Sequence, residues 1–123
     1  MLHRSVRALL PVLLFLCACV GPDAPDVEIC RDVITRVCAE PVCSSAAVKL
    51  NLPAMDCVAT LQARTGCADV AFTFTSPTRA RFLDCRLPLV RESATVGAKP
   101  SCEYLDESIR NCPDLVSFLG GTP

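Results

Sequence analysis

The sequence has no tryptophan, one tyrosine and five phenylalanines among 123 residues, so large aromatic plates are too few to build a core alone. Histidine occurs once, at His3. Ser–His and Cys–His nucleophile pairs would have to draw on that single residue. Charge of one sign is also missing. Twelve basic residues stand against 13 acidic ones, for a net charge of −1. That balance lacks the electrostatic footprint of a nucleic-acid binder, and no nucleic-acid partner is expected. No apolar run reaches the roughly 18 residues needed to cross a membrane as a helix. Glycine occurs at positions 21, 66, 97, 120 and 121, too scattered for a phosphate-cradling loop.

Cysteine and apolar side chains are plentiful. Ten cysteines lie in a chain that is 51% hydrophobic and 20% charged. Such a chain is not a disordered polar polymer. Its cysteine content approaches that of a secreted disulfide scaffold, and its length suits one domain.

The N-terminus reads as an address. Arg4 and Arg7 precede an apolar stretch from Ala8 to Ala18 with no acid among them. A basic start, an apolar middle and small residues at the end make a secretory signal peptide, placed at residues 1–18. Pro11 argues against a buried core helix there. The end of the stretch, Leu16-Cys17-Ala18-Cys19, resembles the lipobox of bacterial lipoproteins. The resemblance implies cleavage before Cys19 and a diacylglycerol thioether on its sulfur, so that membrane lipid is a partner through acylated Cys19. In the best-known sorting system of that family, Asp after the acceptor cysteine retains the protein at the inner membrane. Val20 stands there instead, which implies the outer membrane. The alternative is an ordinary secretory signal and a secreted or periplasmic protein. Residues 19–26, with two prolines, a glycine and two acids, read as a lipidated tether, able to span roughly 20 Å if extended.

Behind the tether stand Cys30, Cys38, Cys43, Cys57, Cys67, Cys85, Cys102 and Cys112. An even set behind an export signal predicts disulfides in an oxidising compartment. Eight cysteines admit on the order of a hundred pairings, and the sequence does not choose among them. A zinc site would favour Cys-x-x-Cys pairs and histidine. The closest pair of the set, Cys38 and Cys43, has four residues between, and no histidine follows the leader, so neither metal nor cofactor is expected.

Helical spacing dominates residues 27–121. Positions 27, 30, 33, 34, 37 and 38 form an apolar stripe, with Asp26 as cap, Glu28 and Asp32 at the favourable end, and Pro41 as stop. Residues 42–49 predict a short second helix. A third runs from Pro53 to a stop at Gly66. Residues 70–75 alternate like a strand without a partner, or else form an extended lid carrying Phe72 and Phe74 into the core. Ser76-Pro77 starts a fourth helix that Pro88 ends or kinks. Residues 92–100 are a loop, Ser101 caps another helix, and Asp114 to Leu119 make a terminal turn. Cys57 to Cys67 and Cys102 to Cys112 each enclose nine residues and bracket helical patterns. The expected fold is all-α, a small disulfide-stapled domain of four to five short helices and four disulfides.

Function is thinly written. A carboxylate pair involving Asp106 or Glu107 is the remaining catalytic option, and solvated surface acids are the simpler reading. Arg79, Arg81, Arg86 and Arg91 suggest either an anion-binding stretch or a solvated face, and spacing spreads them around a helix. The expected function is a non-catalytic interaction or structural domain on an envelope anchor, with an unknown envelope protein as partner. The alternative is a carrier of an apolar ligand, with a pocket lined by Phe72, Phe74, Phe82 and Leu83.

Overall fold

Asp26–Cys38 forms α1, and it is buried on nearly every side. Ile29, Cys30, Val33, Ile34 and Val37 are each at most 2% exposed. A helix buried to that extent lies at the centre of its domain. Pro25, in extended backbone, precedes it, and first-turn acids and a last-turn arginine suit its dipole. The cap differs from expectation: Asp26 lies inside the helix and makes no capping bond. Its carboxylate instead accepts from the Phe74 backbone amide, at 2.9 Å, and from Arg79.

A computed structural model describes residues 20–121. The leader, residues 1–18, and Cys19 lie outside the described residues. Five further helices follow α1: α2 at Ser44–Lys49, α3 at Cys57–Thr65, α4 at Arg79–Val90, α5 at Cys102–Asn111 and α6 at Pro113–Gly120. The domain is all-helical, as expected. It has six helices because the predicted terminal turn is itself a helix, opened by Pro113 and stopped at Gly121 with φ 67°. α1 packs on α3 and α4, α4 on α5, and α3 and α5 on α6, while α2 lies on α5.

Two helix starts move. α3 begins at Cys57, not Pro53, because Asp56 adopts a left-handed φ of 56° and breaks the spiral before it. The stop at Gly66 holds, with φ 86° and its amide returning to the Gln62 carbonyl. α4 is capped by Thr78, whose hydroxyl accepts from the Arg81 amide, and not by Ser76. Pro88 neither ends nor interrupts α4, which runs two residues past it to Val90. The carbonyl that loses its donor there belongs to Asp84, which is exposed to water. The cap at Ser101 is as predicted, accepting from the Tyr104 amide. Residues 70–75 form no strand. They act as the lid: Phe72 and Phe74 pack with Phe82 and Phe118, ring centroids 4.5–6.3 Å apart.

The eight cysteines form four disulfides: Cys30–Cys67, Cys38–Cys57, Cys43–Cys102 and Cys85–Cys112. The first two hold α1 and α3 antiparallel, joined near both ends. The nine-residue frame of Cys57 and Cys67 therefore closes on Cys38 and Cys30, not on Cys102 and Cys112. Cys43–Cys102 ties α2 to α5, and Cys85–Cys112 ties α4 to the α5–α6 corner. Each such bridge is worth about 2–4 kcal/mol, chiefly by restricting the unfolded chain. Proteolysis without reductant followed by mass spectrometry should recover these four linked peptide pairs and no free thiol among the eight. A peptide linking Cys38 to Cys43 would contradict the pairing.

Candidate functional site

The least expected feature lies in α1. Asp32 and Arg36 are one helical turn apart and buried, with side chains 0% and 1% exposed. Arg36 Nε donates to Asp32 Oδ2 at 2.9 Å. Its other nitrogens donate to the carbonyls of Leu89, Ser93, Thr95 and Ala98. Asp32 Oδ1 accepts from the Gly97 amide at 2.7 Å. Arg86 approaches Asp32 to 3.8 Å and is itself buried. One ion pair thus organises the whole loop between α4 and α5. Gly97 is required in it: φ is 69°, and a Cβ there would stand 2.7 Å from Thr35 Cγ2.

Spacing carried a signal for this pair that composition hides. Arg36 shares a helix face with Ile29 and Val33, where an exposed charge would not be expected. Asp32, assigned above to a favourable end of the helix dipole, serves the buried pair instead. Every guanidinium nitrogen of Arg36 already donates to the protein. Among the described residues, no buried side-chain nitrogen or oxygen lacks a partner. The cluster is a clamp and has no open position for a ligand.

Of the four arginines of α4 and its end, Arg81 and Arg91 are exposed, Arg79 is half-buried and Arg86 is buried, and each is paired with an acid of the fold. Arg79 pairs with Asp26, Arg81 with Asp114 at 2.9 Å, Arg86 with Asp32, and Arg91 with Glu107 at 2.8 Å. Arg91 also lies 4.7 Å from the centre of the Tyr104 ring. Arg79 and Arg86 reach α1, Arg81 reaches α6 and Arg91 reaches α5, so α4 is wired to three helices. Burial pushes the Arg86 guanidinium below its ordinary range, and Asp32 opposes that. The two carboxylates considered for catalysis are engaged separately. Glu107 holds Arg91, and Asp106 accepts from the Ser45 hydroxyl.

The segment expected to be a free tether is also engaged. Arg86 donates to the Val20 carbonyl at 3.0 Å, and Arg79 donates to the Pro22 carbonyl. The Ala24 amide turns back to the Gly21 carbonyl, and Val20 and Ala24 pack against the core. Residues 20–25 lie along the domain and are not extended from it.

The aromatics assigned to a ligand pocket fill one another's space. Phe82 is fully buried, and its neighbours Phe74 and Phe118 sit 4.5 and 5.7 Å from it, centre to centre. Cys85, Cys112 and Asp114 gather their ligand atoms within 4.8 Å of one another. The two sulfurs are bonded to each other, however, and Arg81 holds the carboxylate. No thiolate is left there for a metal. Comparison of the chain with protein-family profiles, with curated proteins and with solved structures finds no match.

Two outcomes follow from this wiring. Removing Arg36 leaves Asp32 buried with its main partner gone. Arg36→Met should therefore cost about 3–5 kcal/mol in urea unfolding. Amide exchange at residues 93–98 should accelerate before the rest of the domain. The second outcome is acid sensitivity. The Phe74 amide, and then Arg79, hold the Asp26 carboxyl below its ordinary value of 3.8, with burial opposing them. Arg81 does the same for Asp114 and Arg91 for Glu107. A lowered folded-state value stabilises the protein above the ordinary value and is lost as protons bind below it. The melting temperature should thus fall as pH drops below 4.5 and further below 3.8, toward the lowered folded-state values. Asp26→Asn should flatten that fall, and an unchanged slope would refute the assignment.

Proposed function

We propose that the chain is an envelope lipoprotein, anchored through lipid on Cys19, whose stapled helical domain is a non-catalytic interaction module. The observation that carries the reading is the Leu16-Cys17-Ala18-Cys19 motif in front of a domain whose eight other cysteines are all disulfide-bonded. Such bridges belong to oxidising compartments, where export would deliver the chain. Two or three acyl chains on one cysteine anchor stably, where a single chain holds only marginally. The outer membrane is the proposed location, from Val20 after the acceptor.

The engaged tether sharpens this picture. Consecutive Cα atoms are about 3.8 Å apart, so an acylated Cys19 lies within one residue of Val20, which Arg86 holds. The domain would then rest against the headgroups, with its α1–α4 edge toward the bilayer. The interaction reading is supported by what the polar groups do. Asp32, Arg36, Glu107 and the α4 arginines are spent on internal bonds, which leaves the surface as the working part. A carrier role has weaker support, because the phenylalanines proposed to line its pocket pack on each other.

Membrane fractionation of the full chain in a bacterial host tests the anchor. The protein should sediment with membranes, and intact-mass measurement should find diacylglyceryl and acyl mass on Cys19. Cys19→Ser should move it to the soluble fraction. Absence of the added mass, or a Cys19→Ser protein that stays membrane-bound, would sink the lipoprotein reading. Crosslinking in intact envelopes then identifies the partner protein.

A further inference from the structure

The four bridges differ in what surrounds them. Cys30 and Cys67 are both 0% exposed, and Cys85 and Cys112 are 1% and 3% exposed. Cys38 is buried and Cys57 half-buried. Only Cys43–Cys102 has one half, Cys102, on the surface, while Cys43 is buried. An attacking thiolate must reach a sulfur, so of the four bridges this one is the most openly presented to a reductant in the folded protein.

Two further features converge on the same sulfurs. Lys99 Nζ lies 3.8 Å from Cys43 Sγ and 3.9 Å from Cys102 Sγ, and is steadied by the Pro100 carbonyl at 3.4 Å. Among the described residues, no carboxylate pairs with Lys99. Cys102 is also the first residue of the ten-residue α5, just after the Ser101 cap. An ammonium and a helix N-terminus both lower the pKa of a thiol and favour the thiolate. A disulfide sulfur is a weak acceptor, whereas a thiolate carries full charge. Lys99 therefore stabilises the opened bridge more than the closed one.

We propose that Cys43–Cys102 is an exchangeable disulfide, opened in the folded protein by a dithiol while the other three bridges persist. A thiolate of the dithiol attacks Cys102 Sγ. The Cys43–Cys102 bond breaks, and its electron pair leaves on Cys43 Sγ as a thiolate beside Lys99. The second thiol of the reagent, once deprotonated, attacks its own sulfur in the mixed disulfide and expels Cys102 as a thiolate. The reagent departs as a disulfide, having given two electrons to the protein, and its two thiol protons pass to solvent or to the new cysteine thiols. The consequence falls on α2. That helix has six residues with Ala46 as its one buried position, and its other side-chain tie to α5 is the Ser45–Asp106 hydrogen bond. Opening the bridge leaves α2 held to α5 by that hydrogen bond and the packing of Ala46, and leaves the α1–α3 pair stapled. This inference goes beyond the lipid-anchor reading and does not depend on it.

The test is timed reduction of the oxidised protein by dithiothreitol without denaturant. Free thiols are trapped with iodoacetamide and located by peptide mapping. Cys43 and Cys102 should be labelled at least about tenfold faster than the other six cysteines, since those open only with larger unfolding. Lys99→Met should slow that phase by about three- to tenfold through a poorer leaving thiolate. A Cys43→Ser, Cys102→Ser double variant should lack the fast phase altogether. Labelling of all eight cysteines at one rate, or of another pair first, overturns the proposal in the wild-type protein alone. A Lys99→Met protein that keeps its helicity and is reduced as fast as wild type removes the ammonium from it.

Discussion

Arg36 carries its charge into the interior, on a helix face it shares with Ile29, Val33 and its partner Asp32. Desolvating an ion costs several kcal/mol, and that cost is offset only if its partners are complete. They are complete here, with one carboxylate and four backbone carbonyls. The carbonyls come from the end of α4 and from the loop that follows it. The chain after α4 must therefore curl back over α1 before α5 can begin. Gly97 supplies the left-handed turn that brings its amide to Asp32. The position of α5, and through it that of α2 and α6, descends from this buried pair.

Around that centre the domain uses two kinds of tie. Disulfides join α1 with α3, α2 with α5, and the middle of α4 with the α5–α6 corner. Ion pairs from the first turn of α4 and from its C-cap reach Asp26, Asp114 and Glu107. The apolar core between them is modest, with Phe82 as the one fully buried aromatic ring among the described residues. Small cores of this kind leave little margin, which explains why covalent ties are dense. Exposed ion pairs are individually weak, so those of α4 set orientation more than stability.

Much of this was legible because it is local. The stripe in α1, the stop at Gly66, the cap at Ser101 and the lid at Phe72 and Phe74 each follow from residues a turn apart. The even set of cysteines was legible too, as a set. What escaped the sequence is long-range or depends on one backbone angle. Arg36 finds its carbonyl partners 53 to 62 residues away, and nothing near position 36 names them. The α4 arginines look free until α1, α5 and α6 bring their acids. The late start of α3 depends on Asp56 turning left-handed, and the α4 cap on a choice between two neighbouring hydroxyls. Cys19 is readable from its motif alone and lies outside the described residues.

The docking of residues 20–25 has a mechanical side. A tension applied at the start of the chain meets first the Arg86 and Arg79 hydrogen bonds to Val20 and Pro22. If those yield, α1 can unwind only as far as Cys30, where the bond to Cys67 transfers the load to the covalent frame. The ten residues from 20 to 29 would lengthen to at most about 35 Å and then stop. The domain is thus built to give a short, bounded stretch under pull while its centre, the Arg36 pair, stays unloaded.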